Sequence, residues 1–200
     1  MLITDDTVRH PFSPQVLLDA RSHRAAARQE GTPMTDALTS TSPPAGVVIR
    51  RATPADAAGV ATMVAEIAAH ENQTGQVHVD VDQWRALLGR TEVIVLLAER
   101  DGQAVGYVSA LRQLHLWTGG DVLNLDDLYV RPGQRDGGVG RRLMAALAGL
   151  AAPEQLLIRW GMEVDNVDAQ RFYRRLGAGL RPKVVAAWTP SAYAELVAGD

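Results

Sequence analysis

The chain has 200 residues, 46% of them hydrophobic, and a formal net charge of −3. This length suffices for one globular domain with a substantial core, and the mildly acidic balance argues against nucleic-acid binding, which needs a basic face. The absence of cysteine excludes disulfides, thiol nucleophiles and thiolate metal sites. No stretch approaches the roughly 20 apolar residues that span a bilayer, and Asp5 and Asp6 stand where a signal peptide would be basic. We therefore expect a soluble, cytoplasmic protein with no membrane or nucleic-acid partner.

Residues 1–46 differ in composition from the rest of the chain. Five prolines interrupt them (Pro11, Pro14, Pro33, Pro43 and Pro44), and residues 39–42 form a polar tract with nothing to bury. A short helix over 16–28 has too few apolar positions to promise a core contact. The sequence thus predicts a flexible tail over 1–46 and one folded domain over 47–200.

From residue 47 onward, hydrophobic periodicity alternates between that of strands and that of helices. The predicted elements, in order, are a strand at 47–50, helices at 54–70 and 81–88, strands at 93–100, 104–113 and 122–130, a helix after 140, a strand at 156–164, a helix at 169–176, a strand at 184–188 and a short helix at 191–197. Asp101-Gly102 is a dipeptide favoured in tight hairpins. This order predicts a mixed α/β fold with a partly antiparallel sheet.

A glycine-rich loop lies between the strand ending at Val130 and the next helix. Successive backbone N–H groups and a helix N-terminus in such a loop hold phosphate oxygens. A Walker loop is excluded because Arg141-Arg142 replaces its Lys-Ser/Thr, and a dinucleotide fingerprint is excluded because its third glycine would fall on Leu143. A turn that serves only the fold is the remaining alternative.

The loop reads Arg135-x-x-Gly138-x-Gly140, and it resembles the acetyl-coenzyme A loop of the GNAT N-acetyltransferases, usually Arg/Gln-x-x-Gly-x-Gly/Ala. Two further stretches resemble that family: Arg50-Arg51-Ala52-Thr53 with Asp56 at the first strand and helix, and Asn166 followed by Phe172-Tyr173-x-x-Leu176-Gly177-Ala178. The three together cover about residues 47–190. The resemblance implies a mostly antiparallel sheet flanked by helices, with a splayed strand pair that holds the coenzyme.

The resemblance also implies which residues contact acetyl-coenzyme A as cosubstrate. They are Leu128, Tyr129, Val130, Arg135, Asp136, Gly137, Gly138, Val139, Gly140, Arg141, Asn166 and Tyr173. Tyr173 is expected near the coenzyme sulfur, where it would act as the acid that protonates the leaving thiolate. A backbone N–H near Leu128 would polarise the thioester oxygen. The family also implies a homodimer.

Within the family, the sequence is most similar to the spermidine/spermine acetyltransferases. Their Leu-Glu-Asp before the loop corresponds to Leu125-Asp126-Asp127, and the acid at the end of their first helix and the tryptophan before the loop strand correspond to Glu71 and Trp117. The sequence departs from the group at Asp126, one methylene shorter than glutamate, and by one extra residue before Asn166. The resemblance implies an acceptor site formed by these acids and Trp117.

We assign catalytic roles to Tyr173, Asp126 and Glu71, and acceptor binding to Glu71, Trp117, Asp126 and Asp127. Because the two aspartates are adjacent on a strand, we expect them to point to opposite faces. The expected acceptor is a polyamine or diamine; the alternatives are an aminoglycoside or amino sugar, or a coenzyme-binding regulatory module without turnover. The spacing of the histidines suits no metal site, and none is expected.

Overall fold

A computed structural model describes residues 46–135 and 137–199. The predicted tail and its short helix lie outside these ranges, so the division between residues 46 and 47 stays a prediction. The helices and strands are β1 (Val47–Arg51), α1 (Ala57–His70), α2 (Val81–Leu88), β2 (Val93–Arg100), β3 (Gln103–His115), β4 (Gly120–Val130), α3 (Val139–Ala151), β5 (Leu157–Arg159), α4 (Val167–Arg175) and α5 (Pro190–Ala198). The described residues form two compact units, 46–159 and 160–199.

All five strands belong to the first unit and form one sheet in the order β1-β2-β3-β4-β5. The first four strands pair antiparallel, and β5 pairs parallel to β4. The last β4–β5 pair joins Asn124 to Arg159, and among the described residues nothing pairs with that side of β4 from there to Val130. The sheet confirms the predicted mixed, mostly antiparallel arrangement.

The β2–β3 hairpin forms at the predicted dipeptide. Asp101 has φ 51° and Gly102 has φ 76°, and Arg100 pairs with Gln103 across the turn. Two central residues with positive φ are the requirement of the type I′ turn, whose twist matches that of the strands.

Side-chain caps precede the first two helices; α2 begins where predicted, whereas residues 54–56 form a short 3-10 turn and α1 begins at Ala57. Thr53 and Asp56 form a capping box ahead of α1, and Arg50 of β1 donates to both Asp56 oxygens at 2.8 and 2.6 Å. Asp80 caps α2, accepting from the Gln83 N–H at 2.8 Å. These bonds satisfy backbone donors that the helices leave unpaired and tie α1 to the sheet.

The sheet is covered on both faces. On one face, α1 and α2 bury a core that includes Met63 of α1, Leu97 of β2, and the aromatic side chains of Tyr107 and Tyr129. On the other face α3 contacts all five strands. Burying both faces explains why β2 reads as a nearly continuous apolar run.

Two predicted strands are wrong in the second half of the chain. β5 ends at Arg159 instead of continuing to 164, and residues 181–189 form no strand. Val184 and Trp188 are 90% and 64% exposed. Their apolar, β-branched composition favours a strand, but a strand also needs a ladder partner, and none pairs with them within the described ranges.

None of the described helices is long and apolar enough to cross a membrane.

Candidate active site

A β-bulge lies in the middle of β4. The β3–β4 register shifts between Val108 and Ala110, so that a step of two residues along β3 corresponds to a step of three along β4. The extra residue places Asp126 and Asp127 together opposite Ser109. Strict alternation, on which the expectation of opposite faces rests, therefore does not apply at this point of the strand.

Asp127 is held by two residues of β3. The Tyr107 hydroxyl donates to Asp127 Oδ2 at 3.0 Å, and the Asp127 N–H donates to Ser109 Oγ at 3.0 Å. Burial, reinforced by the negative charges of Asp126 and Glu71, raises the pKa of the Asp127 carboxyl to about 6, although the Tyr107 hydrogen bond opposes the shift. This carboxyl can therefore exchange a proton near neutral pH.

The two other predicted acids lie near Asp127. Asp126 keeps contact with solvent, yet desolvation by the surrounding protein raises its pKa. Glu71 follows the last residue of α1, and its charge raises the pKa of both Asp127 and Tyr107, which places it within electrostatic reach of them. None of the ion pairs among the described residues includes these three acids. The cluster is thus a concentration of uncompensated negative charge.

Trp117 does not join this cluster. It lies in the turn between β3 and β4, 75% exposed, with its ring edge-on to His115 at a centroid distance of 6.5 Å. Since β4 begins at Gly120, six residues of extended chain separate the turn from Asp126, a distance of about 20 Å. Within one chain, the structure therefore separates the predicted tryptophan from the predicted acids.

The glycine loop begins where β4 ends. Of the predicted coenzyme contacts, Leu128, Tyr129 and Val130 are the last residues of β4, Arg135 and Gly137 lie in the loop, and Val139, Gly140 and Arg141 form the first turn of α3. Asp136 lies outside the described residues. Gly138 precedes α3 with φ 73°, a left-handed conformation that favours glycine. The first helical bond runs from the Arg142 N–H to Gly138 O at 3.0 Å, so the N–H groups before it can bind an anion.

An open groove of about 590 Å³ runs beside the loop. Its lining residues come from α1, the end of β4 and the loop: Glu66, Ala69, His70, Tyr129, Arg131, Pro132 and Arg135. Arg131 donates to the two Glu66 oxygens at 2.9 and 2.8 Å, so two of the lining residues form an ion pair. This ion pair lowers the pKa of Glu66 and ties the start of the loop to α1, the helix that Glu71 follows.

Tyr173 and Asn166 belong to the unit formed by residues 160–199. Asn166 caps α4, accepting from the Ala169 N–H at 3.0 Å. Tyr173 is 7% exposed, and its ring packs against Trp160 at 4.6 Å and Phe172 at 5.1 Å. The sequence predicts a buried stripe of Ala169, Phe172 and Leu176 with Tyr173 rotated off it; in the structure Tyr173 is instead the buried residue of α4. The coenzyme roles of both residues stay predictions.

Four residues that contribute to the site were not predicted from the sequence. Tyr107 and Ser109 read as ordinary alternating strand residues, and no role was assigned to Glu66 or Arg131. Only the β3–β4 register brings Tyr107 and Ser109 to Asp127, and a register shift leaves no local signal in either strand. Within the described ranges, no group of three or more acidic or histidine side chains is arranged to hold a metal ion.

Comparisons with known proteins agree with this geometry. A model of the acetyltransferase (GNAT) family matches residues 61–178. The chain is 33% identical over 141 residues to the mycothiol acetyltransferase of Streptomyces avermitilis, a match that covers 67% of this chain but only 43% of that protein's length.

Two solved structures illustrate the likeness of fold. A candidate acetyltransferase from Arthrobacter sp. FB24 is 32% identical with a TM-score of 0.60, over 71% of this chain and 95% of that one. An aminoglycoside acetyltransferase from an uncultured soil metagenomic sample is 17% identical with a TM-score of 0.64, over 72% and 95% of the two chains, and this identity supports the fold alone. Because the family model spans more than half of the sequence, the chain belongs to the acetyltransferase (GNAT) family, whose members use acetyl-coenzyme A as the acetyl donor.

Proposed function

We propose that the protein transfers an acetyl group from acetyl-coenzyme A to a primary amine of a small polycationic acceptor, a polyamine or diamine, by direct attack in a ternary complex. The observation that supports this most is the position of the two aspartates on β4. Asp126 and Asp127 lie at the bulge, Glu71 is within electrostatic reach of Asp127, and the phosphate-type loop begins at the end of the same strand. The acids that would bind an ammonium thus precede, by a few residues along the same strand, the N–H groups that would bind a phosphate.

The donor half of the site is suited to the coenzyme. The first-turn N–H groups of α3 and the partial positive charge of the helix N-terminus favour phosphate oxygens. Arg135 adds a cation beside them; its Nε donates to Val130 O at 3.1 Å, which holds the side chain along the end of β4. Residues 128–130 precede the loop and would lie along the acyl arm.

The acceptor half must bind a cation and then remove its proton. An alkyl ammonium has a pKa of about 10 and attacks a thioester only after deprotonation. Asp126 and Glu71 would hold the ammonium, while Asp127, with a pKa of about 6, would take the proton through water. Its hydrogen bond from Tyr107 keeps the carboxylate oriented in either charge state of the acceptor.

The remaining steps rest on the sequence resemblance. The amine nitrogen bonds to the thioester carbon to give a tetrahedral intermediate, and the carbon–sulfur bond then breaks. Tyr173 would give its proton to the departing thiolate and regain one, through water, from the nitrogen as the amide forms. The N–H near Leu128 would stabilise the oxygen that becomes negative. Because the chain contains no cysteine, an acyl-cysteine intermediate is excluded.

An aminoglycoside or amino sugar is the second candidate acceptor. It also presents several ammonium groups, which the unpaired acids would bind equally well. A regulatory module that binds the coenzyme without turnover is less compatible with the site, because an idle site has no need of desolvated carboxylates beside the loop.

Assaying a panel of amines with labelled acetyl-coenzyme A tests the proposal. Asp126→Asn and Glu71→Gln should each raise the Michaelis constant of the amine by about 10- to 100-fold, the effect of a lost charge-assisted contact, and change that of acetyl-coenzyme A little. Glu92→Gln, which changes an exposed acid paired with Arg90 at the start of β2, is the matched control. Equal effects on both substrates would indicate a folding defect instead.

Ligand-dependent melting tests the donor half separately. Acetyl-coenzyme A should raise the melting temperature, while NAD and ATP should not, because only a ligand of the native state stabilises it.

The same preparations serve to test the homodimer that the resemblance implies, and a sedimentation mass of one chain would contradict that state.

A further inference from the structure

Arg159, the last residue of β5, is a buried arginine whose charge has no counterion among the described residues. Arg159 is only 8% exposed, and its Nη1 has no hydrogen-bond partner in the part of the chain that the structure describes. Its Nε donates to Asn124 Oδ1 at 2.5 Å. None of the ion pairs within the described ranges includes Arg159.

A chain of amides orients this guanidinium without neutralising it. Asn124 Nδ2 donates to Gln113 Oε1 at 2.5 Å, so side chains of β3, β4 and β5 form one hydrogen-bonded line ending at Arg159. Amide groups carry no charge. A buried cation without an anion is strongly unfavourable, and a bound anion is one partner that would supply the missing charge.

The position of Arg159 along β4 indicates which ligand supplies it. Asn124, its partner in register, lies two residues before Asp126 on the same side of the strand, about 7 Å from it. The glycine loop begins beyond Val130, six residues further on, about 20 Å away. The cation therefore lies on the side of the acid cluster that faces away from the phosphate-type loop.

We infer that Arg159 binds a carboxylate of the acceptor, so that the acceptor is a diamino acid such as lysine or ornithine and not a simple diamine. This rests on the proposed acetyl transfer to an amine, and it replaces the simple polyamine or diamine with an amine acceptor that also carries a carboxylate. The acids at the bulge bind the ammonium groups, and Arg159 binds the anion about one side-chain length away. An acceptor without the carboxylate leaves the guanidinium uncompensated and binds more weakly.

Matched acceptors that differ only in the carboxylate test the inference. Lysine is compared with 1,5-diaminopentane, and ornithine with 1,4-diaminobutane, by kcat/KM and by the melting shift each produces in the presence of coenzyme A. The parent should prefer the amino acid in each pair by roughly 10- to 100-fold, the effect of one charge-assisted contact. Arg159→Gln should abolish the preference. Arg112→Gln should retain it, because that arginine is already paired with Asp121 and Glu154.

The outcomes separate this inference from the proposed function. If neither amine is acetylated but lysine still stabilises the parent and not Arg159→Gln, the carboxylate site stands and the acetyl transfer to these amines fails. Equal turnover of lysine and 1,5-diaminopentane by the parent overturns the inference alone, even if the variant does not fold. A raised Michaelis constant for acetyl-coenzyme A in Arg159→Gln, with acceptor preference unchanged, also overturns it, since the anion would then belong to the coenzyme.

Discussion

The two halves of β4 use different chemistry. At its end, the glycine loop offers backbone N–H groups whose positions follow from one left-handed residue, Gly138, and from the start of a helix. At its middle, the bulge offers carboxylates whose positions follow from pairing with β3. The loop end is built from local backbone geometry, and the bulge from side chains distant in sequence. Substitutions at the two places should therefore affect the donor and the acceptor separately.

Tyr173→Phe is expected to have the largest effect. It tests the chemical step apart from the binding of the donor and of the acceptor. If the hydroxyl protonates the thiolate, turnover should fall by about 10² to 10⁴ while affinity for acetyl-coenzyme A stays nearly constant. Pre-steady-state and equilibrium binding measurements check this, with Tyr193→Phe on the exposed helix α5 as control. A variant that melts earlier but turns over like the parent would show that the hydroxyl is structural.

Gly138→Val tests the loop end. A β-branched residue is strained at φ 73°, so the loop should lose its conformation and acetyl-coenzyme A affinity should fall by about 100-fold or more. Gly149→Ala, within α3 and with open space around its Cα, should leave binding unchanged. Calorimetric titration measures both. Tight coenzyme binding by Gly138→Val would refute the loop assignment.

Asp127→Asn tests the bulge through pH. In the parent, kcat/KM for the amine should rise as pH increases through about 6, where Asp127 loses its proton, and the variant should lack this limb. Tyr107, Ser109, Asp126 and Glu71 are the groups that surround this carboxyl and remain in the variant. A limb that persists in Asp127→Asn would assign the titration to another group.

The free energy of unfolding should also depend on the protonation of Asp127, but it should fall with rising pH where kcat/KM rises. The pKa of Asp127 is raised from 3.8 to about 6 in the folded state, so the folded protein holds more protons between these values. The free energy of unfolding of the parent should therefore decrease as pH rises from about 4 to 6, by about 1–3 kcal/mol. Asp127→Asn should lack this decrease, as measured by urea unfolding at several pH values.

Trp117→Ala is expected to have the smallest effect. Because the tryptophan lies about 20 Å from Asp126, its removal should change the amine Michaelis constant by less than about twofold, the scale of a surface substitution. Steady-state kinetics with the best acceptor of the panel measures this. An increase comparable to that of Asp126→Asn would show that the acceptor site extends to the β3–β4 turn, or that a second copy of the chain supplies the tryptophan.

Local signals explain how much of this structure could be predicted. Hydrophobic periodicity located α1, the Asp101-Gly102 turn located a hairpin, and glycine spacing located the loop before α3. Pairing between distant strands carries no such local signal. That is why the bulge at Asp126, the roles of Tyr107 and Ser109, and the end of β5 at Arg159 were not predicted from the sequence.

The strand order of the sheet has a consequence for folding. Since β1 to β5 lie side by side in the order of the chain, most sheet pairing joins neighbours in sequence, and the β2–β4 meander can form from two hairpins alone. β5 can pair with β4 only after α3 has formed the connection between them, and it adds only three residue pairs. Hydrogen exchange should be slowest in the meander and faster at Leu157–Arg159. Partial unfolding would then release the buried arginine while the carboxylates at the bulge stayed in place.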